Sequence, residues 1–122
     1  MRKMVVCLLT LLGVVSGTQP SLAHSSLAVA APSVSQVVYV SPTSVKLTFD
    51  EDLIAIGSAN QIEVRSPSGA LVSKKITYVR GAKATVFLNK LKQLGAYKIS
   101  YRIVSADGHI VSSFYYFYLK KK

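Results

Sequence analysis

Two histidines, with the residues beside each, are the groups in this 122-residue chain whose types and spacing could hold a metal ion. One is His109, in the run Ser105-Ala106-Asp107-Gly108-His109. The other is His24, which follows Ser21-Leu22-Ala23. A small-x-small tripeptide behind an apolar run is the pattern that signal peptidase cuts, and a cut after Ala23 makes His24 the first residue. A first-position histidine carries a free α-amine beside its imidazole, so one residue offers a metal two nitrogens. His109 supplies a third, and an Asp107 oxygen completes a tetragonal N,O set, the geometry that favours Cu(II). Asp107 and His109 stand two apart, so on extended backbone they project to the same side, and Gly108 lets the chain bend between them.

Each half also has a plainer reading. Asp-Gly-His by itself is a hairpin turn, with Asp107 accepting from nearby amides and Gly108 at positive φ. A histidine behind a leader can be an accident of sequence. What joins the halves is scarcity: of only two histidines, one falls at the new terminus and the other in an Asp-x-His bend.

The leader itself reads as residues 1–23. Arg2 and Lys3 form its positive start, Val5 to Val15 its apolar stretch, and the stretch is too short to span a membrane. Cleavage removes the single cysteine, Cys7, and both methionines, Met1 and Met4. The exported part, residues 24–122, therefore has no disulfide and must be held by an apolar core, and its length suits one domain. No second apolar run approaches a membrane span, so this part is expected to be soluble, in a periplasm-like space or outside the cell, with no stable membrane insertion. The formal net charge of +10 could point to nucleic acid. The lysines are spread along the chain, however, and the one tight run, Lys120-Lys121-Lys122, is a solubilising tail, so no nucleic-acid partner is expected.

The elements that must position His24 and His109 read as strands. Leu27 and Val29 alternate ahead of the break at Pro32-Ser33. Val34 to Val40 suits a second strand, and Val45, Leu47 and Phe49 put one face of a third into the core. Leu53 to Ala59 is either a helical turn or an irregular crossover. Gln61 to Arg65, the turn Ser66-Pro67-Ser68-Gly69, Ala70 to Val79 with an interruption at Ser73-Lys74-Lys75, and Lys83 to Leu88 follow. Tyr97, Ile99, Tyr101 and Ile103 alternate with polar residues, and Val111 to Leu119 is so aromatic that much of both its faces is expected to be covered. Turn signals every ten residues or so, and no amphipathic helix, predict an all-β sandwich.

The last third resembles the copper-resistance family called CopC. The resemblance lies in Leu94-Gly95-Ala96-Tyr97-Lys98-Ile99-Ser100-Tyr101-Arg102-Ile103-Val104-Ser105-Ala106-Asp107-Gly108-His109-Ile110-Val111-Ser112, similar to a family strand that runs into Ser-x-Asp-x-His. It extends to Ala23-His24, Pro32 and Val45-x-Leu47-x-Phe49-x-Glu51 near the start. It implies a Greek-key β-sandwich or barrel, cupredoxin-like or immunoglobulin-like, of about seven strands. It also implies one Cu(II) ion held by the His24 amine and imidazole, the Asp107 carboxylate and the His109 imidazole. Glu51 is a weaker carry-over, placed where some members have an acid near the metal, and its rival reading is a solvated acidic loop with Asp50 and Asp52. Tyr101 stands where the family has Trp and Ser113 where it has Gly. The lack of methionine after the leader argues against a soft-sulfur Cu(I) site.

The function these readings predict is a periplasmic protein for copper homeostasis or resistance that buffers Cu(II) or delivers it to a membrane transporter, a CopD-like inner-membrane partner. Affinity should fall with pH because amine and imidazoles must lose protons to bind. Two alternatives remain open: a metal-free sandwich that binds a partner, and a copper monooxygenase with an N-terminal histidine brace. A 24–122 domain without Trp offers little of the broad substrate surface that such an enzyme needs, so the expectation is a binding protein rather than an enzyme.

Overall fold

In a computed structural model, residues 26–122 are described; residues 1–25, the expected leader and His24 among them, lie outside. Eight strands form two four-stranded sheets. In the first, β1 (Leu27–Ala31), β3 (Ser44–Phe49), β6 (Lys83–Leu88) and β5 (Ser73–Arg80) lie in that order, all antiparallel. In the second the order is β2 (Val37–Val38), β8 (Ile110–Leu119), β7 (Gly95–Val104) and β4 (Gln61–Arg65), with β2 parallel to β8 and the other pairs antiparallel. Only β5–β6 and β7–β8 are sequential hairpins; every other connection changes sheet. The expected all-β sandwich is the observed one, with eight strands rather than about seven.

The alternation seen in the sequence decides which faces meet. Val45, Leu47 and Phe49 from β3, Ile62 and Val64 from β4, Ala84 and Val86 from β6 and Tyr97, Ile99, Tyr101 and Ile103 from β7 fill the space between the sheets. Period-2 side chains on two facing sheets interdigitate in this way without any helix to cover them. Tyr97 stacks on Phe117 with centroids 5.3 Å apart, and Tyr101, the residue standing where the family has Trp, meets Phe49 edge-on at 5.6 Å.

Two local expectations need correction, and one open alternative is decided. The second strand shrinks from 34–40 to Val37–Val38: Ser35 sits at φ 61 and the Ser33 N–H donates to Gln36 Oε1, so a turn occupies the first half. The final strand is covered on one face only, since Tyr115, Phe117 and Leu119 are buried while Ile110, Phe114 and Tyr116 are exposed. Leu53 to Ala59 resolves to the irregular crossover, joined to the β7–β8 turn through an isolated Leu53–Ser105 bridge.

One corner of the sandwich is closed by hydroxyls. Ser73 Oγ accepts the Val64 N–H at 3.0 Å and Thr77 Oγ1 accepts the Ile62 N–H at 3.0 Å. The free edge of β4 is thus satisfied by side chains of β5 from the other sheet, where the β5–β6 register shifts between Ser73 and Thr77. Backbone donors at a buried edge need such partners.

Candidate metal centre

The β7–β8 hairpin carries the site. Its ladder closes at Val104↔Ile110, leaving residues 105–109 as the connection. The Gly108 N–H donates to Ser105 O at 2.8 Å and the Ser105 N–H to His109 O at 2.9 Å, a tight turn that needs a residue at positive φ, and Gly108 has φ 91. The convergence of Asp107 and His109 therefore comes from a turn, and not from the same-side projection of extended residues.

Within that turn the Asp107 carboxylate is surrounded by donors. Ser105 Oγ and the His109 N–H, the latter at 3.1 Å, donate to Oδ1. His109 Nδ1 lies 2.9 Å from Oδ2. The Ser105 hydroxyl, first, and then the His109 backbone and ring hold the Asp107 carboxyl down at about 2, against an ordinary value of 3.8. A hydrogen-bonded carboxylate is favoured in its ionised form, the form a cation needs. The two side chains are half exposed, at 46% for Asp107 and 52% for His109, whereas Ser105 is fully buried. The pair is thus open to a small ion while its anchor lies in the core.

The turn is fastened to the crossover after β3. Asp52 O accepts the Ala106 N–H at 2.9 Å, and the Ile54 N–H donates to Val104 O at 2.9 Å. Buried Asn60 bridges the crossover and β7, its Oδ1 accepting from the Val104 N–H at 2.8 Å and its Nδ2 donating to Ile54 O at 2.5 Å. The crossover also reaches the start of the described chain, because the Asp50 carboxylate accepts from both the N–H and the Oγ of Ser26.

Of the residues singled out in the sequence, Asp107 and His109 are brought together. Glu51 lies in the crossover, partly buried, and its carboxylate makes no ion pair or hydrogen bond among the described residues. His24 is outside those residues. Among them no group of three or more His, Cys, Asp or Glu side chains gathers as a metal site. Sequence reasoning passed over Ser105, Asp50 and Asn60 as supports. Ser105 carried the one available signal, standing in the Ser-x-Asp-x-His run; a polar residue's burial is not visible in an unpaired strand.

Fold and loop together define a small two-sheet sandwich that presents a preorganised carboxylate–imidazole pair at one end. The CopC domain model matches residues 27–120, and the chain belongs to the CopC family. Among solved structures, CopC from Methylosinus trichosporium OB3b is 30% identical, covers 80% of this chain and 95% of its own, and superposes with a TM-score of 0.72. PcoC, a methionine rich copper resistance protein from Escherichia coli, shares the fold at 21% identity and a TM-score of 0.65, covering 80% of this chain and all of its own. A comparison with curated protein sequences gave no match. Membership makes the function a copper-related one, in a family of copper-binding resistance proteins rather than enzymes.

Proposed function

We propose that this chain, trimmed after Ala23 on export, binds one Cu(II) ion as cargo through the His24 amine and imidazole, His109 and Asp107. It then buffers copper in the periplasm or hands it to a membrane copper transporter. The observation that carries this reading is the Asp107–His109 pair itself. Its Nδ1 to Oδ2 separation of 2.9 Å is close to the edge of about 2.8 Å between neighbouring corners of a square of ligands about 2 Å from a metal. A cation can thus take the place of the proton between the two groups, with the neutral imidazole then carrying its one proton on Nε2.

The donor set suits Cu(II). Nitrogens and a carboxylate oxygen fit a tetragonal ion, and no sulfur ligand follows the leader, since the two methionines are Met1 and Met4. The Escherichia coli relative is by contrast methionine rich. The chain's reach also agrees. His24 precedes Ser26 by two residues, at most about 7 Å of extended backbone, and Ser26 is tied to Asp50 in the crossover that holds the Asp107 turn. Glu51, in that same crossover, stays a weaker candidate ligand.

Copper(II) titration of the processed protein, beside a form carrying one extra residue ahead of His24, tests the reading. The extension turns the α-amine into an amide, which can bind Cu(II) only by giving up its own proton, and Cu(II) affinity should fall sharply. Equal affinity in the two forms removes the amine from the site.

A further inference from the structure

Asp50 fastens the N-terminal arm to the frame of the metal-binding turn. Its Oδ1 accepts the Ser26 N–H at 2.7 Å and its Oδ2 accepts Ser26 Oγ at 2.9 Å, while its own N–H donates to Ser26 O at 3.0 Å. Both carboxylate oxygens and the backbone of one residue thus close on a single partner, at an exposed position where an acid would otherwise be a solvated surface charge. Charge-assisted bonds of this kind are roughly twice as strong as neutral ones.

The fastening continues without a break to the turn. Two residues after Asp50, Asp52 O accepts the Ala106 N–H, and Leu53 bridges to Ser105 while its N–H donates to Gly81 O at 2.9 Å. Ser105 Oγ in turn donates to Asp107. Just after the clasp the β1–β3 ladder is irregular, its register shifting between Leu27 and Val29. Without the Asp50 carboxylate the arm ahead of Leu27 keeps only the backbone bond from the residue-50 N–H to Ser26 O, and most of its ordering falls to the metal at the moment of binding.

We infer that Asp50 is a positioning residue for the N-terminal half of the copper site: its bidentate hold on Ser26 sets the arm bearing His24 against the Asp107–His109 turn. The inference rests on His24 being a ligand. Residues that orient ligands from outside the coordination shell typically carry about 10- to 100-fold in metal affinity, and Asp50→Ala should lower Cu(II) affinity by that factor. Asp50→Asn keeps an oxygen for the Ser26 N–H and gains a donor for Ser26 Oγ, so it should retain most of the affinity.

The test is a double-mutant cycle on the processed protein, pairing Asp50→Ala with the one-residue extension ahead of His24. Cu(II) affinity is read by competition titration, the ligand set by cupric spin resonance, and the fold by near-UV circular dichroism. A positioning role predicts about a 10- to 100-fold loss in the native-terminus background, a changed spin-resonance spectrum, and almost no further loss once the amine is already blocked. Equal losses in both backgrounds, or an unchanged affinity in Asp50→Ala, overturn it. A loss in Asp50→Asn as large as in Asp50→Ala shows that charge and not the clasp matters, and overturns it too. If the unmutated processed protein binds Cu(II) no better than its extended form, it is the function proposed above that fails.

Discussion

Replacing Ser105 by alanine removes one fully buried hydroxyl and tests how Asp107 is kept ready for a cation. Ser105 Oγ is the first cause of the low Asp107 carboxyl, ahead of the His109 backbone N–H and ring. In the variant the carboxyl should titrate above about 2, part of the way back toward 3.8, which a carbon-13 titration of the metal-free protein reads directly. The sign for stability follows. A carboxyl depressed in the folded state stabilises that state above its unfolded value of about 3.9, and the contribution is lost as pH falls through the folded value. The stability gap between native protein and Ser105→Ala should therefore be full above pH 3.8 and should close as pH approaches about 2. Cu(II) affinity at neutral pH should fall about 10- to 100-fold, as for other lost supports of a metal ligand. An Asp107 that still titrates near 2 in Ser105→Ala, with the hairpin intact, would refute the role assigned to the Ser105 hydroxyl in the turn.

Two further outcomes concern the scaffold. Ser73→Ala strips the acceptor from the buried Val64 N–H; an unsatisfied buried donor costs about 1–3 kcal/mol, and about 2 kcal/mol lowers Tm by roughly 8–16 °C in a domain of this size. An unchanged thermal melt would mean that the Val64 N–H has found another acceptor. Alkaline conditions should unfold the domain: burial raises both the Tyr115 and the Tyr97 phenol, and Tyr115 donates to Pro32 O at 2.7 Å. Their contribution is complete below the unfolded tyrosine value of about 10 and is lost as pH rises toward the folded values. Tyr115→Phe should flatten that decline in a series of melts from about pH 9 upward, below the onset of tyrosine ionisation, and an unaltered slope would place the alkaline sensitivity elsewhere.

Where the sequence was legible, it was so because one face of a strand was buried. Tyr97, Ile99, Tyr101 and Ile103, like Val45, Leu47 and Phe49, alternate because water lies on one side and core on the other, and each is buried as the pattern requires. The same rule explains the error in β8. Its aromatic run conceals the alternation because both faces are built from the same residue types, yet Phe114 is 56% exposed and Tyr115 only 6%. On the outer face Phe114 is met by the Lys98 ammonium, 4.4 Å from the ring centroid, and by Tyr116 edge-on, so an aromatic there is accommodated without a core. The segment 34–40 failed for another reason. Its partner is the far C-terminus: the Ser35 N–H donates to Tyr116 O, the Tyr118 N–H to Gln36 O and the Lys120 N–H to Val38 O. A parallel edge pairing across so long a sequence separation leaves no local pattern to read.

The acidic cluster shows why half of the candidate site was hidden. Asp50, Glu51 and Asp52 look alike in sequence, and a solvated loop is the natural reading of three adjacent acids. In the fold they differ because the crossover passes from the start of β1 to the β7–β8 turn. Asp50 faces the start of β1 and uses its carboxylate; Asp52 meets the β7–β8 turn and uses its backbone carbonyl; Glu51 uses neither in this way. Side-chain chemistry marks a candidate ligand such as His109, whereas a support is marked only by where the chain passes. The Asp107–His109 pair could therefore be found by residue type. The crossover that joins it to Ser26 is set by non-local pairings, Leu53 with Ser105 and Ala106 with Asp52, which belong to the sandwich and to no single stretch of it. A site shared, as proposed, between the segment ahead of β1 and the last hairpin gains preorganisation from a segment that touches both, and the crossover after β3 is hydrogen-bonded both to Ser26 and to the β7–β8 turn.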